Sequence, residues 1–290
     1  MLSQRPPANR RAGRALGTVL LLLVAPVLSQ CDRGEDAPEP GPVPAITEVE
    51  PPTPSLPRPR PALDRAAILA ALDQAASDYA SGAPAAGADP LVGRPFALVS
   101  AFACEPLLDA AALNGLPDGV ARAGWGPERR TIQLSLRPGD WLQSALMADQ
   151  GQAGQWEAVE GFWLTRPWQR SETCPAVSRD PLSGEAGAPD VQTAGIAAVF
   201  GSDASRIGQR NGRAYVHTIR PSDDEEALVR PSAGYRSRVE GRVAAFPNGR
   251  AVRCRASGPD RRPVCVMAVT LDRFAFTTAE GAVLSEWRPG

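Results

Sequence analysis

Beyond residue 90 the apolar residues of this chain recur at every second position, in short runs broken by glycine, proline and asparagine. Ile132, Leu134 and Leu136 alternate with Thr131, Gln133 and Ser135, the pattern of a strand with one buried face. Phe96 to Cys104, Trp156 to Thr165, Ile196 to Phe200 and Arg213 to Ile219 read as further strands. The last sixty residues read as an antiparallel meander of Tyr235–Phe246, Arg250–Ala256, Val264–Val269, Arg273–Thr278 and Ala282–Trp287. Pro247-Asn248-Gly249 and Asn211-Gly212 suit tight turns, because Asn and Gly accept positive φ. Only Leu63 to Ala80 departs from this rhythm. There Ile68, Leu72, Ala75 and Tyr79 recur at helical spacing and Gly82 follows as a stop. A second, short helix capped by Asp140 is expected to run through Ala148. The fold class is therefore mainly β: an antiparallel, disulfide-stapled domain with one N-terminal amphipathic helix and a C-terminal β-meander.

The cysteines support the staples. Five are present, and Cys31 stands apart, directly after the apolar run Ala15–Leu28 and the arginines Arg5, Arg10, Arg11 and Arg14. This is the layout of an export leader, and Leu28-Ser29-Gln30-Cys31 stands where a bacterial lipoprotein signal is cut and lipidated. Gln30 is bulkier than the small residue such sites favour, and cleavage after Ser29 is the competing reading. Both export the rest of the chain. Cys104, Cys174, Cys254 and Cys265 then form an even set in an exported protein, which implies two disulfides. Four cysteines allow three connectivities. Cys254 and Cys265 flank the turn-rich Ser257-Gly258-Pro259-Asp260 and are placed to face each other across a hairpin, leaving Cys104 for Cys174.

These boundaries divide the chain into a signal peptide (1–30), a proline-rich acidic tether (31–61) and a globular β-rich region (62–290). The irregular stretch from Pro175 to Asp190 separates two candidate subdomains, 62–175 and 190–290. Proline favours an extended backbone at about 3.1 Å per residue, so the tether can hold the domain well away from a membrane.

Composition excludes several chemistries. The basic residues are all arginine, so a Walker A loop, a pyridoxal Schiff base and a Ser-x-x-Lys nucleophile are impossible. His217 is the single histidine, which rules out multi-histidine metal sites. No metal and no cofactor are expected. For catalysis His217 would need Ser202 or Ser205 with Asp203 beside it, but Gly201-Ser202-Asp203-Ala204-Ser205 does not match Gly-x-Ser-x-Gly. Strand alternation sets His217 on one face with Tyr215 and Ile219, as in a structural histidine. Glu157 and Glu160 would suit glycoside hydrolysis, but alternation sends them to opposite faces. Asp223-Asp224-Glu225-Glu226 lacks the spaced ligands of a calcium loop.

Binding signals remain. Fourteen arginines face twenty-one acids between Leu63 and Pro231, whereas from Ser232 to Gly290 ten arginines face five acids. Arg236, Arg238, Arg242, Arg250, Arg253, Arg255, Arg261 and Arg262 are candidates for a basic sheet face toward an anionic glycan or lipid headgroups. Trp156, Phe162, Trp163 and Trp168 crowd one segment. Alternation puts Trp156 with Phe162 and leaves Trp163 on the other face, so at least one ring requires a second layer, a partner or a ligand, and Trp163 and Trp168 are candidate contact residues. The sequence thus points to an exported periplasmic protein, lipid-anchored to a bacterial membrane, whose β domain binds another envelope protein or an anionic glycan. Nucleic acid does not fit this compartment. The alternative is a small envelope hydrolase using His217 as general base.

Overall fold

The structure, a computed structural model, describes residues 60–83, 87–109, 112–113, 115–148, 156–176, 192–201, 209–222 and 228–288. All of these fall in one compact unit, Pro57–Gly290. The leader, Cys31, most of the tether, Ser202, Asp203, Ser205 and the 223–226 acidic run lie outside the described residues.

Helix α1 spans Arg65–Ser81. The Asp64 side chain caps it by accepting from the Ala67 N–H at 2.8 Å, and Gly82 ends it at φ 65°, a conformation that glycine adopts without steric cost. Its buried stripe is Ile68, Leu69 and Leu72, each at most 2% exposed. Arg65 is buried too. Its guanidinium donates to the carbonyls of Thr165, Arg166 and Gln169 and to the Ser100 hydroxyl, at 2.6 to 3.1 Å. Burial first, then the neighbouring Arg166, lowers its pKa to about 10.

Eleven strands follow among the described residues: β1 (Pro95–Phe102), β2 (Arg122–Trp125), β3 (Ile132–Leu136), β4 (Gly139–Asp140), β5 (Ala158–Trp163), β6 (Ala194–Phe200), β7 (Tyr215–Ile219), β8 (Tyr235–Val243), β9 (Val252–Arg255), β10 (Val264–Thr278) and β11 (Val283–Trp287). The helix capped by Asp140 reduces to one turn at Ala145–Ala148, and Asp140 itself sits in β4. Strands β2, β3 and β7 form a small antiparallel sheet, and the other eight form a larger one. The class is mainly β, as the alternation predicts.

One strand organises the large sheet. The runs 264–269 and 273–278 are not two strands but one, β10, with a bulge between Leu271 and Arg273. Its first half is flanked by β6, which runs parallel to it, and by β9. Its second half is flanked by β8 and β11. The meander is therefore interrupted by a parallel neighbour from earlier in the chain, and the sheet is mixed. Strands β8 and β9 lie end to end along the same side of β10. Between them Ala244 N–H donates to the Ala268 carbonyl while Ala268 N–H donates to that of Ala251, so 245–250 loops out opposite a single residue. That excursion turns at Pro247-Asn248-Gly249, with Gly249 at φ 76°.

Two apolar clusters cover the two faces. On the inner face Leu134, Phe162, Ile196, Met267, Phe274 and Phe276 pack with α1 and the small sheet. On the outer face Trp141, Val159, Ala197, Phe246, Val266 and Ala268 form a second layer over β5, β6 and the first half of β10. Trp156 and Trp163 both belong to this second layer, whereas Phe162 lies in the first. This corrects the expected pairing of Trp156 with Phe162. Trp156 precedes β5, so the strand's alternation does not reach it. Trp163 finds its second layer in Trp141, with ring centroids 4.5 Å apart.

Disulfides join Cys104 to Cys174 and Cys254 to Cys265. The second bridges directly opposed residues of β9 and β10, whose Cα atoms are 4.1 Å apart. Two disulfides in one domain fit an oxidising compartment outside the cytoplasm. No helix among the described residues is long and apolar enough to cross a membrane.

Candidate binding groove

A cavity of about 780 Å³ lies between the C-terminal half of α1 and strand β9. Ala71, Gln74, Ala75, Asp78 and Tyr79 form its helical wall, and the loop carrying Asp89, Pro90 and Leu91 closes one end. The opposite wall includes every residue from Val252 to Ala256. A strand seen face-on contributes alternate residues, because its side chains point to opposite faces. Consecutive contributions mean that the groove runs along the strand's edge.

Charge along this wall is predominantly positive. Arg250, Arg253 and Arg255 line the groove together with Asp78 and Asp89. Asp89 is largely consumed structurally: one carboxylate oxygen accepts from Leu91 N–H at 3.0 Å, the other from Ala251 N–H at 2.9 Å, and Arg250 lies 3.6 Å away. Arg255 donates to the Ala145 carbonyl at 3.0 Å. At the far end the Tyr79 hydroxyl accepts from Ala256 N–H at 3.3 Å.

The eight arginines predicted as a basic face divide between two stretches of β10's flank. Arg236, Arg238 and Arg242 occupy alternate positions of β8, where Arg238 and Arg273 both pair with Glu240. Burial raises the Glu240 pKa, but the hydrogen bonds from the two arginines outweigh it and hold the carboxyl below its usual range. Arg250, at the end of the 245–250 excursion, lies at the groove with Arg253 and Arg255. Arg261 and Arg262 sit exposed in the β9–β10 hairpin, and Arg262 reaches back 3.0 Å to Asp73 of α1. Of the aromatic candidates, Trp163 is half-buried in the second layer, and Trp168 is exposed, at 61%.

His217 lies half-buried on β7 opposite Leu134. Burial lowers its pKa. Among the described residues no hydroxyl or carboxylate hydrogen-bonds to it.

One feature escaped the sequence reading. Glu157 and Glu160 border the same pocket of about 350 Å³ beside β4, with Asp140 and Asn211. Alternation misplaces Glu157 because it precedes β5. Glu160 is 6% exposed. Its Oε1 accepts from the backbone N–H groups of Arg210 (2.5 Å) and Asn211 (3.1 Å), so it braces the Asn211-Gly212 turn. Burial pushes its pKa up against those two hydrogen bonds. Arg210 in turn covers the Tyr215 ring at 4.6 Å. No cluster of metal-ligating side chains occurs among the described residues.

No family model, no curated protein and no solved structure matches the chain.

Proposed function

We propose that this chain is an exported, lipid-anchored envelope protein whose β-rich domain acts as a binding module in the periplasm, and that the groove between α1 and β9 receives its partner. The observation that carries the reading is the groove itself: about 780 Å³ walled by a helix, a strand edge and three arginines. Such a concavity offers shape and a positive field to an anionic group of another envelope component. The apolar leader ending at Cys31 and the proline-rich tether support display from a membrane surface. The two disulfides agree with that compartment. The aromatic candidates add little, because three of the four rings are spent on the two apolar clusters.

In-cell photocrosslinking from position 75, inside the groove, tests this against the same probe at Arg242 on the far stretch of the sheet. A discrete adduct from position 75 alone, suppressed by Arg253→Glu, is the expected result. Equal capture from both positions, or none from the groove, overturns the reading. Mass measurement of the mature N-terminus checks the anchor, which predicts acyl chains on Cys31 and loss of membrane association in Cys31→Ser.

A further inference from the structure

We infer that the groove takes an extended, acidic segment of a partner protein as an added strand on the free edge of β9; the inference rests on the groove being the binding site. The backbone of β9 determines which groups face the groove. Cys265 N–H donates to the Thr193 carbonyl, away from β9. Cys265 and its register partner Cys254 are therefore a non-hydrogen-bonded pair, as are Met267 and Val252 two residues along. The N–H and C=O groups of Arg253 and Arg255 are directed at β10, and those of Val252 and Cys254 are directed outward. Tyr79 meets the N–H of Ala256, the next outward residue, and among the described residues no backbone group pairs with the edge at Val252 or Cys254.

An unpaired strand edge is an aggregation hazard, which proteins blunt by covering it or shortening it. Here α1 walls the edge without pairing with it. A second sheet cannot approach, whereas a single strand at the usual spacing of about 4.8 Å can. The two outward residues offer two donors and two acceptors, enough for a segment of three to five residues, roughly 10–17 Å long.

Side-chain parity fixes the chemistry of that segment. Val252 and Cys254 pack on the inner cluster with Ala71 of α1, so alternate residues of an added strand meet a small apolar surface there. The intervening residues lie beside Arg253 and Arg255, on the opposite face. A segment alternating acidic with small or β-branched residues satisfies both. A glycan offers no such alternation of backbone donors and acceptors. The Cys254–Cys265 bridge fastens the edge strand to β10 at one of the residues that faces the groove, so partner binding and release do not peel β9 away.

The test titrates the isotopically labelled mature chain with a blocked heptapeptide of alternating Glu and Val, beside an oligogalacturonate of equal charge. Amide shifts at Val252, Cys254 and along the groove wall of α1 are expected with the peptide and not with the sugar. Val252→Pro removes an outward N–H while sparing the ladder to β10, and is expected to weaken the peptide about tenfold or more. A peptide N-methylated at alternate residues, which leaves the protein untouched, is expected to fail as well. No binding by the Glu–Val peptide, undiminished binding to Val252→Pro or by the methylated peptide, or equal competition by the sugar overturns strand addition. Ala75→Trp, which fills the groove, separates the two readings. If it abolishes binding while Val252→Pro does not, the groove stands and strand addition falls; if it leaves binding unchanged, the groove itself falls.

Discussion

The large sheet ends differently on its two sides. At the β4 side the edge strand is two residues long, Trp141 lies over the outer face, and the Glu160 carboxylate is drawn in against the backbone of residues 210–211. At the β9 side a stapled strand keeps two residues' worth of backbone donors and acceptors turned into a groove. One end spends its polar groups on the fold, and the other holds them in reserve. Interaction surface is therefore to be sought at β9, and stability at β4.

The largest expected effect breaks the closed end. Trp141 lies directly on Gly161, and a Cβ built there would fall inside its indole ring, while one at Gly195 would meet the same ring at 2.8 Å. Gly161→Val is expected to cost about 4 kcal/mol or more, since a packed core has no room to yield. Urea denaturation should show the loss, with hydrogen exchange rising first at β5 and β6. A loss below about 1 kcal/mol would mean that Trp141 does not seal this end.

Arg65→Ala comes next, because the guanidinium joins α1 to the 165–169 segment through three hydrogen bonds and to Ser100 of β1 through a fourth. Its removal leaves three carbonyls and a hydroxyl unpaired in a partly buried site, for an expected loss of about 3–5 kcal/mol. Thermal unfolding measures it. The helix itself should survive in isolation no better than any short helix, so circular dichroism should lose helix and sheet together.

Removing the staple probes the open end. The double variant Cys254→Ser with Cys265→Ser opens an 11-residue separation, for which chain entropy predicts a loss of about 3 kcal/mol. The comparison becomes sharp in hydrogen exchange. Protection should fall at β9 and persist at β5, the reverse of the Gly161 variant. If both ends loosen equally, the sheet is one cooperative unit and the contrast between its ends has no energetic meaning.

Local features were legible in the sequence, and non-local ones were not. The spacing of Ile68 and Leu72 gives α1 to within two residues at its start, the alternation of Ile132, Leu134 and Leu136 gives β3, and the turn between Cys254 and Cys265 anticipates their bridge. Strand β10 reads as the two runs 264–269 and 273–278, yet the residues between them hold the bulge where it passes from one pair of neighbours to the next. The parallel pairing with β6 joins segments about seventy residues apart, and no local pattern records it. The groove is hidden for the same reason. Arg253 and Arg255 carry its charge in the sequence, but its other wall is a helix more than 170 residues away, brought there by the core and by contacts such as Tyr79 with Ala256.

Glu160 gives the smallest and most pH-specific effect. Burial raises its pKa in the folded state, so the folded protein binds its proton more tightly than the unfolded chain. By linkage the contribution turns unfavourable as pH rises from the unfolded value, about 4.3, through the raised folded one, and is constant above it. Glu160→Gln keeps an oxygen for the N–H groups of Arg210 and Asn211 and removes the titration. Its stability relative to the wild type should be level near pH 4 and rise with pH to a constant advantage above the raised folded value. Glu160→Ala, by contrast, leaves both N–H groups without their acceptor and should lose about 1–3 kcal/mol at every pH. Denaturant titrations of the three proteins from pH 4 to 8 decide this. A Gln variant that gains nothing with pH would show that the carboxylate is solvated from the neighbouring pocket, and that the β4 end is as open as the β9 end.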